Sequence, residues 1–324
     1  MSIPAPSPLS CWIITDGKPG MRNQCLGLAQ RMGLEPLEKV VRLRAPWKQL
    51  SPAILRIGNR WAMTPDSDAI APPWPDVLIA TGRHSVAASL LVRAMSPRTF
   101  RIQIQDPGIR PALFDLVVVP RHDRLRGANV LVSHGALHGL TPELLAAAAA
   151  RDGAAFQHLP HPRIAVLIGG SNGAYRLEAE DMSRLADDLA RLAQSGAGLM
   201  VTASRRTGAA NEALLRARLA GLPAVMWDGS GANPYHAILG LADAVVVTCD
   251  SVNMVTEAAI TGKPIHVVDL PGGSAKFSRF HQGMREAGLC RPFALPLQSW
   301  SYPQSDDCGL VAAEAWRRLR EKRG

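Results

Sequence analysis

The sequence predicts an α/β protein of two doubly wound halves in tandem, each a parallel sheet with helices on both faces. Short apolar runs of strand length alternate along the chain with segments of helical spacing, the grammar of βαβ units. That grammar lapses over Arg151 to Pro162, a stretch with Gly and two prolines and no periodicity, and then restarts. At 324 residues the chain also exceeds one ordinary compact core, so two domains are the natural count. Hydrophobic residues make up 47%, charged residues 19% and aromatics 5%, a mix that suits helices packed on strands buried on both faces.

The first half opens with a buried strand, Cys11 to Thr15, closed by the turn-rich Asp16-Gly17-Lys18-Pro19-Gly20. A helix follows from Gln24 to Met32, with Leu26, Ala29 and Met32 on helical spacing and Gly33 as its stop. Further strands are expected at Lys39 to Leu43, Val77 to Ala80, Arg101 to Gln105, Leu116 to Val119 and Val130 to Val132, with a helix at Val86 to Met95. The Pro- and Trp-bearing stretch from Ala45 to Pro75 interrupts the pattern and holds one expected helix, near Trp47 to Leu55. After a helix at Thr141 to Ala150 comes the linker, which sets the domains at residues 1–155 and 156–324. In the second half, strands are expected at Ile164 to Ile168, Leu199 to Ala203, Ala224 to Trp227, Ala244 to Thr248 and Ile265 to Val268. Helices fit between them at Leu177 to Gln194, Asn211 to Leu219, Pro234 to Leu241 and Val252 to Thr261. A last helix, near Leu310 to Arg320, is a candidate to cross back onto the first domain. Two such halves would face a cleft, where the carboxyl ends of the strands gather ligands.

Composition excludes several classes. No apolar run approaches the roughly 18 residues of a membrane span, and the Pro/Ser-rich start lacks the pattern of a cleaved secretory signal. Five scattered cysteines without a Cys-x-x-Cys pair read as reduced thiols, which places the chain in the cytoplasm. Lys and Arg exceed Asp and Glu by nine, a balance that favours phosphates or anionic headgroups as partners, or simply a solvated surface. The basic residues are dispersed without interleaved aromatics, so nucleic acid is not expected as a partner. Peripheral contact with an anionic membrane on its inner face fits the same charge.

Two loops carry the sharpest local signals. Ile164 to Ile168 runs into Gly169-Gly170-Ser171-Asn172-Gly173, where glycines permit a tight turn and the amides at the start of a following helix can receive phosphate oxygens. Dinucleotide binding is disfavoured, because the glycine spacing is wrong and no acid ends the next strand. A Gly-x-Ser-x-Gly nucleophile elbow on Ser171 is the rival, with Asp243, Asp250 or Asp269 and His266 or His281 downstream. It lacks an oxyanion loop and opens a domain instead of lying mid-sheet. In the second loop Ser251 can cap a helix that carries Asn253 and Glu257, whose carboxylate can accept two hydrogen bonds from a ribose diol. After the second strand of this half, Arg205 and Arg206 can neutralise a leaving diphosphate. Asp66-Ser67-Asp68 matches a metal-binding Asp-x-Asp but lies in a Pro-rich loop with no strand before it, and His134 and His138 have no carboxylate neighbour in sequence, so no metal site and no cofactor are expected.

Gly169 to Ala174 with Thr248 to Pro264 resembles the donor-binding half of MurG-type N-acetylglucosaminyltransferases, members of the GT-B fold. That resemblance implies that Gly170, Ser171 and Asn172, in the donor-binding loop with Gly169, face the diphosphate region, that Ser251 and Asn253 lie near phosphate, and that Glu257 is the ribose-binding acid. Over nearly its whole length the chain is more similar still to the mitochondrial-fission family first described in plants as elongate-mitochondria proteins. The stretches that carry it are Thr15 to Gln24, Thr81-Gly82-Arg83-His84, Gln105-Asp106-Pro107, Pro120-Arg121-His122-Asp123 and the two donor-side motifs. On the MurG-type pattern Asp16 to Met21, with Gly17 and Gly20, occupies the acceptor loop, and Met21 stands where that loop has its His. Asp16 is therefore the preferred candidate base, with His84 and Asp106 as others and a turn-capping role open for each; Lys18, Arg22 and Arg83 are candidates for an acceptor phosphate. The implied function is metal-independent transfer from a nucleotide-sugar, UDP-linked, to a phosphate- or lipid-bearing acceptor. Two alternatives remain: a non-catalytic interaction protein at a membrane surface, and a nucleotide-sugar 2-epimerase.

Overall fold

The structure, a computed structural model, describes residues 9–45, 47 and 62–324. Its contacts divide the chain into two compact units, one running up to Gly139 and including Asp306–Gly324, the other Leu140–Ser305.

The sheet of the first unit holds β1 (Cys11–Thr15), β2 (Pro36–Val40), β3 (Val77–Thr81), β4 (Phe100–Ile104), β5 (Leu116–Pro120) and β6 (Val130–Ser133), all parallel, in the order β2-β1-β3-β4-β5-β6. Strand periodicity sorts its side chains onto two cores. Ile13, Val77, Ile79 and Ile102 pack with Leu28 of α1 (Pro19–Arg31), while Trp12, Ile14, Leu78 and Ala80 pack with Ala88 and Leu91 of α2 (Gly82–Met95). The C-terminal helix Asp307–Arg323 lies on the α1 face and buries Cys308, Val311, Ala312, Ala315 and Leu319 there. Ion pairs fasten it at both ends, Arg31 with Asp306, Lys322 with Asp115 at 2.9 Å and Arg323 with Asp76.

Two elements differ from the reading of the sequence in ways that have a cause. Helix α1 starts at Pro19, not Gln24, because a proline at the first helical position gives up an amide that has no partner there in any case. Strand β2 lies three residues earlier than the apolar run Lys39 to Leu43. It is an edge strand whose Pro36 opens the register opposite Cys11, and an edge needs neither full burial nor a proline amide. The helix expected near Trp47 to Leu55 lies, but for Trp47, outside the described residues.

The second unit repeats the architecture. Strands β7 (Arg163–Ile168), β8 (Gly198–Ala203), β9 (Ala224–Met226), β10 (Ala244–Thr248), β11 (Ile265–Val268) and β12 (Cys290–Pro292) are parallel in the order β12-β11-β10-β7-β8-β9. Around them lie α3 (Pro142–Asp152), α4 (Ala179–Gln194), α5 (Ala209–Leu219), α6 (Tyr235–Leu241), α7 (Val252–Ala259) and α8 (Ala275–Glu286), and the C-terminal helix is then α9. Helix α3 packs on α6 through Gly240, where a Cβ would come within 2.4 Å of the Leu145 carbonyl oxygen. In this order the chain winds outward from β7 through β9 and returns with β10 beside β7. That is a topological switch point, at which loops leaving the carboxyl ends diverge and leave room for a ligand. The first unit has its own between β1 and β3.

Candidate functional site

The loops after β7 and β10 meet side by side at the second unit's switch point. Their junction is a buried carboxylate. Asp250, with a side chain 0% exposed, accepts from the Gly170 amide at 3.0 Å and from the Thr248 hydroxyl at 2.7 Å, and pairs with Arg206 at 2.6 Å. The Thr248 oxygen accepts in turn from the Gly169 amide at 2.8 Å, and Asn172 donates to the Asp250 carbonyl at 3.2 Å. A Cβ on Gly169 would lie 2.2 Å from Asp250 Oδ1, and one on Gly170 2.1 Å from the Arg206 carbonyl oxygen. These glycines are required because a buried carboxylate and a neighbouring backbone come so near, and not by a positive φ.

The distribution of amides follows from this network. Those of Gly169 and Gly170 are spent on Thr248 and Asp250, and that of Asn172 on the Tyr175 carbonyl at 3.0 Å. Ser171 Oγ accepts from Leu177 N at 2.9 Å, so it braces the turn; Asp243 is engaged by His161 and the Arg163 amide, and His281 by the Cys249 carbonyl. No Ser–His–Asp relay is assembled on these bonds. Helix α4 begins ten residues beyond Gly169 and carries Glu180 and Asp181 in its first turn, with Asp181 accepting from the Glu178 amide, an anionic start that repels phosphate. Helix α7 offers the opposite. Its first turn has no acid, Ser251 caps it by accepting from Met254 N at 3.3 Å, and Asn253 is half-buried beside that cap.

Glu257 lies further along α7, half-buried, and accepts a hydrogen bond from the Tyr235 hydroxyl at 2.6 Å. Burial pushes its pKa up to about 7, the hydroxyl offsetting only part of that, and the same burial raises Tyr235 well above its ordinary value. Arg205 is exposed. Arg206 also donates to the Gly170 carbonyl at 3.1 Å, so its guanidinium is oriented by Asp250 and the glycine turn together. Tyr235, Thr248 and the anchoring role of Asp250 are what the sequence reading missed. The available signal was a Thr and an Asp at the end of a strand otherwise made of Ala and Val.

At the first unit's switch point the candidates are treated differently. Asp16 follows β1 and accepts from the Lys18 amide at 3.2 Å while pairing with the Lys18 ammonium, which makes it the cap of the turn. Burial raises its pKa, but the bonds and charge of Lys18, with His84 nearby, outweigh that and leave it below the ordinary carboxylate value. Gly17, at φ +84°, donates to the Thr15 hydroxyl at 3.0 Å, and Gly20 sits in the first turn of α1, its carbonyl accepting from Gln24. Met21 Sδ lies 3.6 Å from the Thr81 hydroxyl and 3.4 Å from the Gln105 amide nitrogen, bridging the ends of β3 and β4. His84, in the first turn of α2, is 3.4 Å from Leu43 N, and Asp106 is exposed and accepts from Gly108 N at 2.8 Å. Arg22 forms a two-pronged pair with Glu38, whereas Arg83 is exposed at the start of α2. Gln105 takes φ +70°, the one non-glycine residue on the positive side among the described residues, directly before Asp106-Pro107.

The expected decoys have structural work. Asp66 pairs with Arg42 at 2.6 Å and Asp68 accepts from the Val40 amide at 2.6 Å, fastening the loop to the β2 edge. His134 does have a carboxylate partner, Asp307 of α9 at 2.9 Å, 173 residues away and so invisible to local spacing. No group of three or more metal-ligating side chains occurs among the described residues, nor any helix long and apolar enough to cross a membrane. All five cysteines are buried free thiols.

The model of the mitochondrial fission ELM1 family matches residues 19–319, and the chain belongs to that family. It is 28% identical to the mitochondrial fission protein ELM1 of Arabidopsis thaliana over 388 residues, covering 96% of this chain and 90% of that protein. Among solved structures it is similar to the UDP-GlcNAc 2-epimerase of Methanocaldococcus jannaschii, with a TM-score of 0.54, 11% identity and coverage of 97% and 100% of the two chains. It is similar also to MurG of Acinetobacter baumannii, with a TM-score of 0.51, 14% identity and coverage of 97% and 93%. At such identities these likenesses establish the fold alone, the GT-B fold that the motifs implied.

Proposed function

We propose that the second unit of this family member binds a nucleoside-diphosphate sugar, UDP-linked, with the diphosphate at the start of α7 and the ribose diol on Glu257. The observation that carries the reading is the pair of Glu257 on α7 with Tyr235 of α6 beside the switch point, a half-buried acid that the fold itself does not need as a charge. Ser251 and Asn253 lie at the acid-free end of the same helix, and Arg206 is held by Asp250 at the neighbouring loop. The named activities of the UDP-GlcNAc 2-epimerase and MurG belong to proteins of the same fold, and they support a nucleotide-sugar as the ligand class.

For the whole chain the reading is a metal-independent glycosyltransferase. Bound Arg206 and the α7 amides would stabilise the leaving diphosphate, and the first unit would present a phosphate- or lipid-bearing acceptor, from a membrane surface where the acceptor is a lipid. A specific observation favours the non-catalytic alternative. Asp16 is ion-paired and below the ordinary carboxylate value, which makes it a poor base, and a thioether, Met21, fills the place of the acceptor-loop His. Calorimetry with UDP, ADP, GDP and UDP-N-acetylglucosamine tests the binding reading, and product analysis separates the outcomes. Transferred sugar supports the transferase, an epimerised sugar the epimerase, and tight binding with neither a sensor. Absence of nucleotide binding by the folded protein would overturn the whole reading.

A further inference from the structure

We propose that the first unit holds a pocket for a phosphoryl dianion past the ends of β5 and β6, built by Arg121, Arg126 and His134. It goes beyond the nucleotide reading of the second unit and does not rest on it. The sheet register creates the juxtaposition: Pro120 pairs with Ser133 at the last rung, so Arg121 and His134 emerge side by side, and the Arg121 amide donates to the Ser133 carbonyl at 2.7 Å. Between them opens a pocket of about 330 Å³ lined by Arg121, Arg126, Val132, Ser133 and His134, roomy enough for a phosphoryl group.

The three basic side chains are prepared in different ways. Arg126 Nη1 donates to the carbonyls of Asp123 and Leu125, both at 2.7 Å, which fixes the guanidinium without cancelling its charge. Arg121 is exposed, and its guanidinium has no carboxylate partner among the described residues. Asp307 binds both the His134 ring, at 2.9 Å, and the His134 amide, at 2.6 Å. Its hydrogen bond raises the imidazole above its ordinary pKa, with partial burial and Arg121 opposing. Of the neighbouring carboxylates, Asp307 is bonded to His134, and Asp123 lies 3.9 Å from His122. By contrast, Lys18 and Arg22, the cations the sequence offered for this task, each face a carboxylate of their own. Two guanidinium groups, that of Arg126 held by backbone carbonyls, and an imidazole around one hollow suit a phosphate better than a carboxylate or an apolar ligand.

The full chain is titrated with inorganic phosphate and pyrophosphate at low ionic strength, and in parallel with vesicles of phosphatidate in phosphatidylcholine against phosphatidylcholine alone. Saturable binding is expected, about tenfold weaker in Arg121→Gln and partly kept in Arg121→Lys, with unchanged melting because the Arg121 side chain ties down no other element among the described residues. Arg121-dependent binding of the soluble anions assigns a free phosphate ligand, and Arg121-dependent binding of phosphatidate vesicles alone assigns a headgroup. Sulfate, whose charge is constant near neutrality, reads the imidazole. Its affinity falls as pH rises through the raised His134 pKa, and His134→Gln removes that dependence; His122 and Asp123, which follow Arg121, and Asp307, bonded to His134, are the other titratable groups beside the lining residues. Binding weaker than about 10 mM in both arms, or equal in wild type and Arg121→Gln, overturns the proposal.

Discussion

Each unit places an aspartate just past a strand that flanks its switch point, and the two are used in opposite ways. Asp250 is wholly buried and holds a glycine amide, a threonine hydroxyl and an arginine, so that two loops from distant parts of the chain are locked together. Asp16, its side chain 13% exposed, holds only its neighbour, the solvated Lys18. A wholly buried carboxylate must be fully partnered, and its partners thereby become ordered; one paired with an adjacent, solvated lysine orders little beyond its own turn. The first arrangement builds a rigid cradle, and the second leaves a turn.

The contrast is sharpest in stability. Asp250→Ala leaves a glycine amide without its acceptor and an arginine without its counter-charge, and the expected loss is about 3–5 kcal/mol. Asp16→Ala is expected to cost less than about 1 kcal/mol. Urea unfolding of both variants measures the pair, and equal losses would end the distinction. Gly170→Ala probes the same cradle by shape. Its methyl would meet the Arg206 carbonyl at 2.1 Å, and an overpacking loss of about 1–3 kcal/mol is expected, with Gly173→Ala, which meets open space, as the tolerated control.

Nucleotide binding separates the two units further. Glu257→Gln is expected to weaken UDP affinity by about 1–3 kcal/mol while the fold stands, and Asp16→Asn to leave it unchanged. Unaltered affinity in Glu257→Gln makes Glu257 a packing residue. Protonation adds a direction. The folded pKa of Glu257 is raised to about 7 from 4.5, so its contribution to stability is fully present below the lower value and is lost as pH rises through the upper one. Asp16, lowered from 3.8, contributes above that value and loses its contribution as pH falls. A stability profile that fails to flatten between these pH limits in Glu257→Gln would show that the buried acid lies elsewhere. UDP affinity is expected to rise through pH 7 in the wild type, since the carboxylate accepts both diol hydrogens.

The smallest effect concerns the membrane. Of Lys18, Arg22, Arg83, Arg42 and Arg44, three are ion-paired, with Asp16, Glu38 and Asp66. A basic side chain held near an anionic bilayer contributes about 1 kcal/mol, and pairing removes most of that for these three. Co-sedimentation with anionic vesicles should therefore be weak, abolished by salt, and little changed in a Lys18, Arg22, Arg83 triple alanine variant. Strong salt-resistant binding would point to an apolar contact instead.

The amino-acid sequence alone determined the strands wherever both faces are covered, because a doubly buried strand must be an unbroken apolar run. Cys11–Thr15, Ala244–Thr248 and Ile265–Val268 were legible to the residue, and so were the glycine turn and the Ser251 cap, which are local in chemistry. Two of the four sheet edges, β6 and β9, were legible to within a residue, but β12, with three residues ending in Pro292, was missed, and β2, only partly buried, was placed three residues late. Helix α8 was missed because only Phe280, His281 and Met284 are buried in a segment otherwise polar, too few to set a period. The order of the strands, which brings β10 beside β7, was left to the tertiary structure, and so was everything that order creates. Thr248 and Asp250 beneath Gly169 and Gly170, Tyr235 on Glu257, and Asp307 on His134 are pairs separated by 22 to 173 residues. Such contacts are fixed by which strands become neighbours and which helix lies on which face, and no local pattern of residues encodes them.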